Sequence, residues 1–156
     1  METVYIETTI PSYIISEQSQ DIILLSRQVL TKEWWDNERK YYDLFISQIV
    51  IDEILAGNKV FAKKRLNLIN RIKLLDFNTE IEELAKLYMQ YFNFPEKLVR
   101  DIYHIAYSVY YNMDFLLTWN CRHLANAHFK VQIERFNSKF GLKTPEICTP
   151  EELKNL

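Results

Sequence analysis

Glu7, Glu53 and Asp101 stand far apart in the chain, yet each falls where an apolar strand or helix begins or ends. Glu7 follows Val4-Tyr5-Ile6, Glu53 lies in Ile49-Val50-Ile51-Asp52-Glu53-Ile54, and Asp101 opens Asp101-Ile102-Tyr103-His104-Ile105-Ala106. A fourth boundary, Phe115-Leu116-Leu117-Thr118-Trp119, ends in the amide of Asn120. Carboxylates drawn together by a fold repel one another and lose hydration. A divalent cation relieves both penalties, and hard ions such as Mg²⁺ or Mn²⁺ prefer oxygen ligands. Ions held this way polarise a phosphodiester and lower the pKa of a bound water. If these termini converge, the chain is expected to carry out metal-dependent phosphoryl transfer.

Convergence requires a scaffold that sends those termini to one edge. The pattern supplies strand-like runs at Thr3–Ile6, Tyr42–Ile46, Ile72–Leu75, Asp114–Thr118 and Glu146–Cys148. Helical segments alternate with them: a short one opened by Pro11, then about 21–36, a helix carrying Glu53 with Ser47 as N-cap, about 60–70, from Thr79 to about Phe92, and about 97–112. Short helical stretches are expected near 122–126 and 131–140. Ile22, Leu25 and Val29 form the expected apolar stripe of the 21–36 helix, and Thr79 with Glu82 reads as a capping box. Strands alternating with helices imply a parallel sheet covered on both faces. In such sheets ligands bind beyond the carboxyl ends of the strands, where the strand order reverses. Asp101 shares a helix face with Ile105 and Ser108, so it can look into a cleft while its apolar neighbours bury.

Composition narrows the alternatives. The 156 residues fit one domain, 1–156, and 48% apolar with 26% charged residues reads as globular. Two glycines exclude a Gly-rich phosphate loop or dinucleotide fingerprint. A formal charge of −2 excludes a uniformly basic nucleic-acid binder. Cys121 and Cys148 make no disulfide framework, no signal-like stretch precedes the first strand, and no apolar run suffices to cross a bilayer. A cytoplasmic location and no membrane partner are expected.

The ordered motifs resemble the PIN (PilT N-terminus) domain, and especially the compact VapC-like toxins of toxin–antitoxin systems. Tyr5-Ile6-Glu7-Thr8-Thr9-Ile10-Pro11 resembles the opening strand and acid–Thr motif, and Ser47 through Ile54 the Ser-to-Glu segment. Asp101 through Ala106 resembles the Asp-x-x-His-Ile-Ala helix. Leu116 through Asn120 with His123-Leu124, and Thr149 through Leu153, resemble the penultimate strand and the closing segment of a subgroup. The resemblance implies a three-layer α/β/α sandwich with a central parallel sheet of about five strands. It also implies Mg²⁺- or Mn²⁺-dependent endoribonuclease chemistry, an antitoxin that blocks the site, and a homodimer. Glu7, Glu53 and Asp101 would then be metal ligands and, with Asn120, the catalytic set. Thr8, Thr9 and Ser47 would orient substrate or water.

Two positions depart from the family pattern. Glu7 replaces the usual Asp, which moves its carboxylate by about 1 Å in a centre whose geometry must hold to about 0.5 Å. Asn120 replaces the fourth acid and removes a negative charge, although its carbonyl oxygen can still ligate or orient water. The alternative function is therefore a catalytically weakened PIN-like module that binds RNA or a partner protein.

Other features read more plainly. Lys59, Lys63, Lys64, Arg65, Arg71 and Lys73 cluster without an acid between Ile54 and Leu75, either as a phosphate-tracking face or as a solvated helix face. Cys121 with His123 has no standard zinc spacing. His104 is expected to hold an orienting hydrogen bond, and Asp52 and Asp114 to lie outside the site. Of Trp34 and Trp35, one is expected in the core and the other on a partner surface.

Overall fold

The computed structural model describes residues 1–156. Its frame is a five-stranded, all-parallel sheet: β1 (Glu2–Ile6), β2 (Tyr42–Ser47), β3 (Lys73–Leu75), β4 (Phe115–Leu117) and β5 (Glu146–Cys148), in spatial order β3-β2-β1-β4-β5. Seven α-helices flank it: α1 (Thr9–Ile14), α2 (Ile22–Asn37), α3 (Gln48–Ala56), α4 (Lys59–Ile69), α5 (Thr79–Tyr91), α6 (Val99–Tyr110) and α7 (Ala127–Lys139). This is the α/β/α sandwich expected from the sequence. The central strand β1 is buried on both faces, with Val4, Tyr5 and Ile6 all fully inaccessible. That is why it reads as an unbroken apolar run rather than an alternating one. The strand order reverses between β1 and β4, so the crevice at their carboxyl ends is the switch point of the sheet.

Asparagine substitutes for the scarce glycine at helix ends. Asn93 and Asn112 adopt left-handed φ values of 50° and 53°, and Gly141 adopts 67°. Each closes a Schellman motif, in which Phe94 N donates to Met89 O, Met113 N to Ser108 O and Leu142 N to Asn137 O. These stops set the starting points of the segments that follow α5, α6 and α7. At the other ends, the Asp21, Asn58, Asn78 and Asn126 side chains accept backbone N–H bonds as N-caps.

Several local expectations need correction. Ile22 and Val29 are 80% and 55% exposed, and α2 instead buries Gln28, Thr31, Trp34 and Trp35. Polar side chains win those positions because each finds a partner. Gln28 bonds Ser16, the Glu17 carbonyl and Ser19 N, while the Thr31 hydroxyl donates to the Arg27 carbonyl and accepts from Trp119 Nε1. Both tryptophans are core residues, with Trp34 Nε1 donating to Leu153 O at 2.7 Å, so neither forms a surface. Asn78, not Thr79, caps α5. Residues 121–125 form turns in place of the short helix expected near 122–126, and α7 begins at Ala127, earlier than the expected 131. Tyr88 and Tyr107 are buried.

Asp114 lies at the amino edge of the sheet. It accepts Thr3 N and Thr3 Oγ1 at 2.8 and 3.0 Å and pairs with Lys143 at 2.5 Å. The Lys143 hydrogen bond, followed by that of Thr3 N, holds its carboxyl down to about 2. A depressed folded pKa stabilises the protein above the unfolded value and loses that contribution as pH falls towards 2. Because the side chain is 35% exposed, screening reduces the effect. Asp114→Asn is expected to cost about 1 kcal/mol at pH 7 in urea denaturation, and the difference should vanish near pH 2.

Candidate metal centre at the sheet switch point

Residues at alternate positions of a strand share a face, so Tyr5 and Glu7 point to the same side of β1. That side is covered by α3, which brings Glu53, and by α6, which brings His104. One ligand atom from each of Glu7, Glu53 and His104 lies within 4.8 Å of the other two. Glu7 is 3% exposed and His104 fully buried, while the Glu53 side chain keeps 23% of its surface.

The three bonds that the Glu7 carboxylate accepts all fall on one oxygen. Oε2 takes Thr9 N at 3.0 Å, Thr9 Oγ1 at 2.5 Å and Thr118 Oγ1 at 2.7 Å. Glu53 behaves in the same way, with Oε1 accepting Thr8 Oγ1 at 3.0 Å and meeting His104 Nε2 at 2.5 Å. Glu7 Oε1 and Glu53 Oε2 therefore keep their lone pairs free. No fully buried side-chain polar atom lacks a partner, so the free oxygen of Glu7 must reach solvent. A pair of carboxylates, each steered by hydroxyls so that one oxygen stays open, fits a hard divalent cation.

Beneath them runs a buried polar relay. Tyr5 Oη bonds His104 Nδ1 at 2.8 Å and Ser47 Oγ at 2.6 Å. Ser47 occupies the N-cap position of α3 but makes no capping bond, because its hydroxyl is committed to Tyr5. This places Ser47 below the cluster rather than at its surface. His104 does hold an orienting bond, and it also bridges the relay to Glu53.

Burial sets the electrostatics. It raises the Glu7 pKa, and the charge of His104 with the Thr9 and Thr118 bonds only partly offsets it. Burial would also raise Glu53, but the His104 hydrogen bond and charge, then Thr8 and Arg100, outweigh it and lower the pKa. Burial disfavours charging His104, but the Glu53 bond and the Glu7, Glu53 and Asp101 charges prevail and raise it. The cluster thus balances two acids against one imidazolium.

Asp101 sits one turn before His104 on α6 but outside the 4.8 Å group. Its Oδ1 accepts Asn120 Nδ2 at 3.1 Å and its Oδ2 meets His123 Nδ1 at 3.0 Å. Asn120 is bound at both ends, since its Oδ1 accepts His123 N at 3.1 Å. The two halves of the site are nonetheless continuous. Asn120 N donates to Thr118 Oγ1, which donates in turn to Glu7. Thr9 Oγ1 accepts Trp119 N at 2.8 Å and locks the loop after β4 against α1. Asp52 stays outside, exposed and bonded to Gln48, and Cys121 is exposed and belongs to no metal-ligating group.

Thr118, Tyr5 and His123 were not picked out by the sequence reading as parts of the site. Tyr5 has a recoverable signal in its spacing of two from Glu7. Thr118 becomes visible only through the β1–β4 register, which pairs Ile6 with Leu117 and so sets Glu7 beside Thr118.

No protein-family model matches the sequence, and no curated protein matches it. Solved structures do match in fold. One is a chain of VapBC2 from Rickettsia felis, crystallised with a DNA fragment from its promoter, at 13% identity and TM-score 0.58 over 94% of this chain and 98% of that one. VapBC-1 from nontypeable Haemophilus influenzae gives 12% identity and TM-score 0.59, covering 96% and 99%. FitAcB from Neisseria gonorrhoeae gives 16% identity and TM-score 0.57, covering 96% and 99%. The fold is that of the PIN-domain toxins in such toxin–antitoxin complexes. No helix of the chain is long and apolar enough to cross a membrane.

Proposed function

We propose that the chain is a Mg²⁺- or Mn²⁺-dependent endoribonuclease, acting in the cytoplasm as the toxin of a toxin–antitoxin pair. The observation that carries this reading is the meeting of Glu7 and Glu53, each with one open oxygen, at the switch point of a PIN-type sheet. Glu7 and Glu53 would hold the ion, with Asp101 reaching it from the rim. A bound Mg²⁺ or Mn²⁺ supplies charge to a phosphodiester and acidity to a water. The protein's own contribution is orientation. Thr9 and Thr118 fix Glu7, Thr8 and His104 fix Glu53, and Asn120 with His123 fixes Asp101. Arg100, exposed and close enough to lower the Glu53 pKa, would attract the RNA backbone. Because burial raises the Glu7 pKa and His104 pairs with Glu53, ion binding would favour the ionised Glu7 and should strengthen as pH rises. An antitoxin and a second copy of the chain are the partners this reading implies.

Calorimetric Mn²⁺ titration and a single-stranded RNA cleavage assay test it, with Asp101→Asn as the discriminating variant. If Asp101 is a ligand, Mn²⁺ affinity should fall at least about 10-fold and cleavage with it. Undiminished cleavage would remove Asp101 from the centre. No Mn²⁺ binding by the wild-type chain would remove the nuclease reading altogether.

One observation favours a second reading, a weakened module that binds RNA or protein. Asp101 already has both oxygens occupied by Asn120 and His123, an arrangement stable without any ion. Under that reading Asn120→Asp should create strong Mn²⁺ binding where the wild type has little.

A further inference from the structure

Next to Asp101, the turn after β4 and the start of α7 line a cavity of about 210 Å³. Its apolar lining is Phe94, Leu98, Ile102, Leu124 and Phe129. The Phe94 and Phe129 rings stand 5.8 Å apart at 44° and are both half-buried, and Phe94 also stacks on Phe92 at 5.1 Å. Phe94 is held there by the Schellman motif that ends α5. Asn126 spends its Oδ1 capping α7, through His128 N and Phe129 N, and so keeps its amide N–H₂ for a ligand. Gln132 is exposed and its amide has no partner in the protein. Exposed Arg122 and His128 lie at the rim.

We infer that this cavity receives one unstacked RNA base beside the scissile phosphodiester. Four observations point to that occupant. The volume lies below the roughly 300–1,000 Å³ of drug-sized pockets and suits one planar ring system. Half-exposed aromatic faces with free amides are the means by which proteins hold splayed-out RNA bases, by stacking and by reading their edges. Arg122 and His128 are exposed, while the Asp101 carboxylate and His123 that also line the cavity already pair with each other, which suits a ligand whose body is neutral and whose attachment is a phosphate. Finally, Asp101 is shared between the cavity and the rim of the proposed metal centre, one helical turn from His104. A base in the cavity therefore leaves its own phosphate near Glu7 and Glu53. This inference rests on the endoribonuclease reading for the presence of RNA, and it adds that cleavage depends on the base at one position.

The test uses the whole chain in EDTA, titrated with the four ribonucleoside 5′-monophosphates and with ribose 5-phosphate. The Ile102 and Leu98 methyl signals and the Phe94 and Phe129 ring signals are followed by NMR. At least one nucleotide should shift these signals saturably, while ribose 5-phosphate leaves them in place. Phe129→Ala should weaken that nucleotide about tenfold, the scale of one lost base–aromatic stack. Gln132→Ala, on an exposed position that cannot disturb the core, should change the preference among the four bases. Silence with all four nucleotides, equal shifts with ribose 5-phosphate, or unchanged affinity in both variants would overturn the assignment. So would shifts elicited by N-acetyl-arginine amide or N-acetyl-phenylalanine amide instead, since they would assign the cavity to a protein partner. Mn²⁺ calorimetry on the same samples reports on the carboxylate centre alone. Nucleotide binding without Mn²⁺ binding supports the cavity and removes the nuclease, whereas Mn²⁺ binding without nucleotide binding removes only the cavity.

Discussion

Glu7→Gln is expected to abolish Mn²⁺ binding and to reduce RNA cleavage at least about 100-fold, while leaving the metal-free protein as stable as before or more so. The second half of that result is the informative one. The three donors to Glu7 all converge on Oε2, so the carbonyl of a glutamine can accept them unchanged. Its amide nitrogen then occupies the place of the open Oε1, where it cannot ligate. Burial raises the Glu7 pKa, and a raised folded pKa means a contribution present below the ordinary 4.5 and lost as pH rises through the folded value. The metal-free wild type therefore carries an unfavourable buried anion at pH 8 that the glutamine variant lacks. Mn²⁺ at about 100 times its Kd should stabilise the wild type by about 2.7 kcal/mol and the variant not at all. Thermal unfolding with and without Mn²⁺ from pH 5 to 8 checks both statements, and the wild-type increment should grow with pH. A large loss of metal-free stability would instead make Glu7 a structural residue.

His104→Ala should produce the largest stability change of any single substitution in the site, about 3–5 kcal/mol near neutral pH. The imidazole is fully buried and bonds Glu53 through Nε2 and Tyr5 through Nδ1. Its removal leaves a cavity, a carboxylate without its cation and a buried phenol without that partner. For a chain of this length the unfolding temperature should fall by roughly 10 °C. The loss should also vary with pH. The Glu53 part of the pair is present above 4.5 and disappears as pH falls through its lowered pKa. The His104 part is present below 6.5 and disappears as pH rises through its raised pKa. The difference between wild type and variant should therefore be greatest in the weakly acidic to neutral range and shrink on either side. A flat pH profile would show that the imidazole contributes packing alone. His104→Gln, which can still donate to Glu53, should recover part of the loss.

Sequence and structure contribute to these expectations in different ways. The three-layer sandwich was readable because its signals are local. An unbroken apolar run marks a central parallel strand, and periodic helices separate such runs. Glu7 after β1 and Asp101 in the first turn of α6 were readable for the same reason, since an element terminus is visible in one dimension, whereas Glu53 lies inside α3 rather than at its end. The stripe of α2 was misread because Gln28 and Thr31 are buried by partners at Ser16 and Trp119, which hydrophobicity cannot register. Ser47 was placed correctly at the start of α3, but its hydroxyl faces Tyr5 across the β1–β2 pair.

Residue order thus determined which elements form and which elements carry the acids. It did not determine how those acids associate. The parallel register sets Glu7 beside Thr118, and the packing of α6 over β1 turns His104 towards Glu53 while leaving Asp101 to Asn120 and His123. Hydrogen bonds between side chains up to 111 positions apart decide which carboxylate oxygens stay open, and such bonds exist only once the chain has packed.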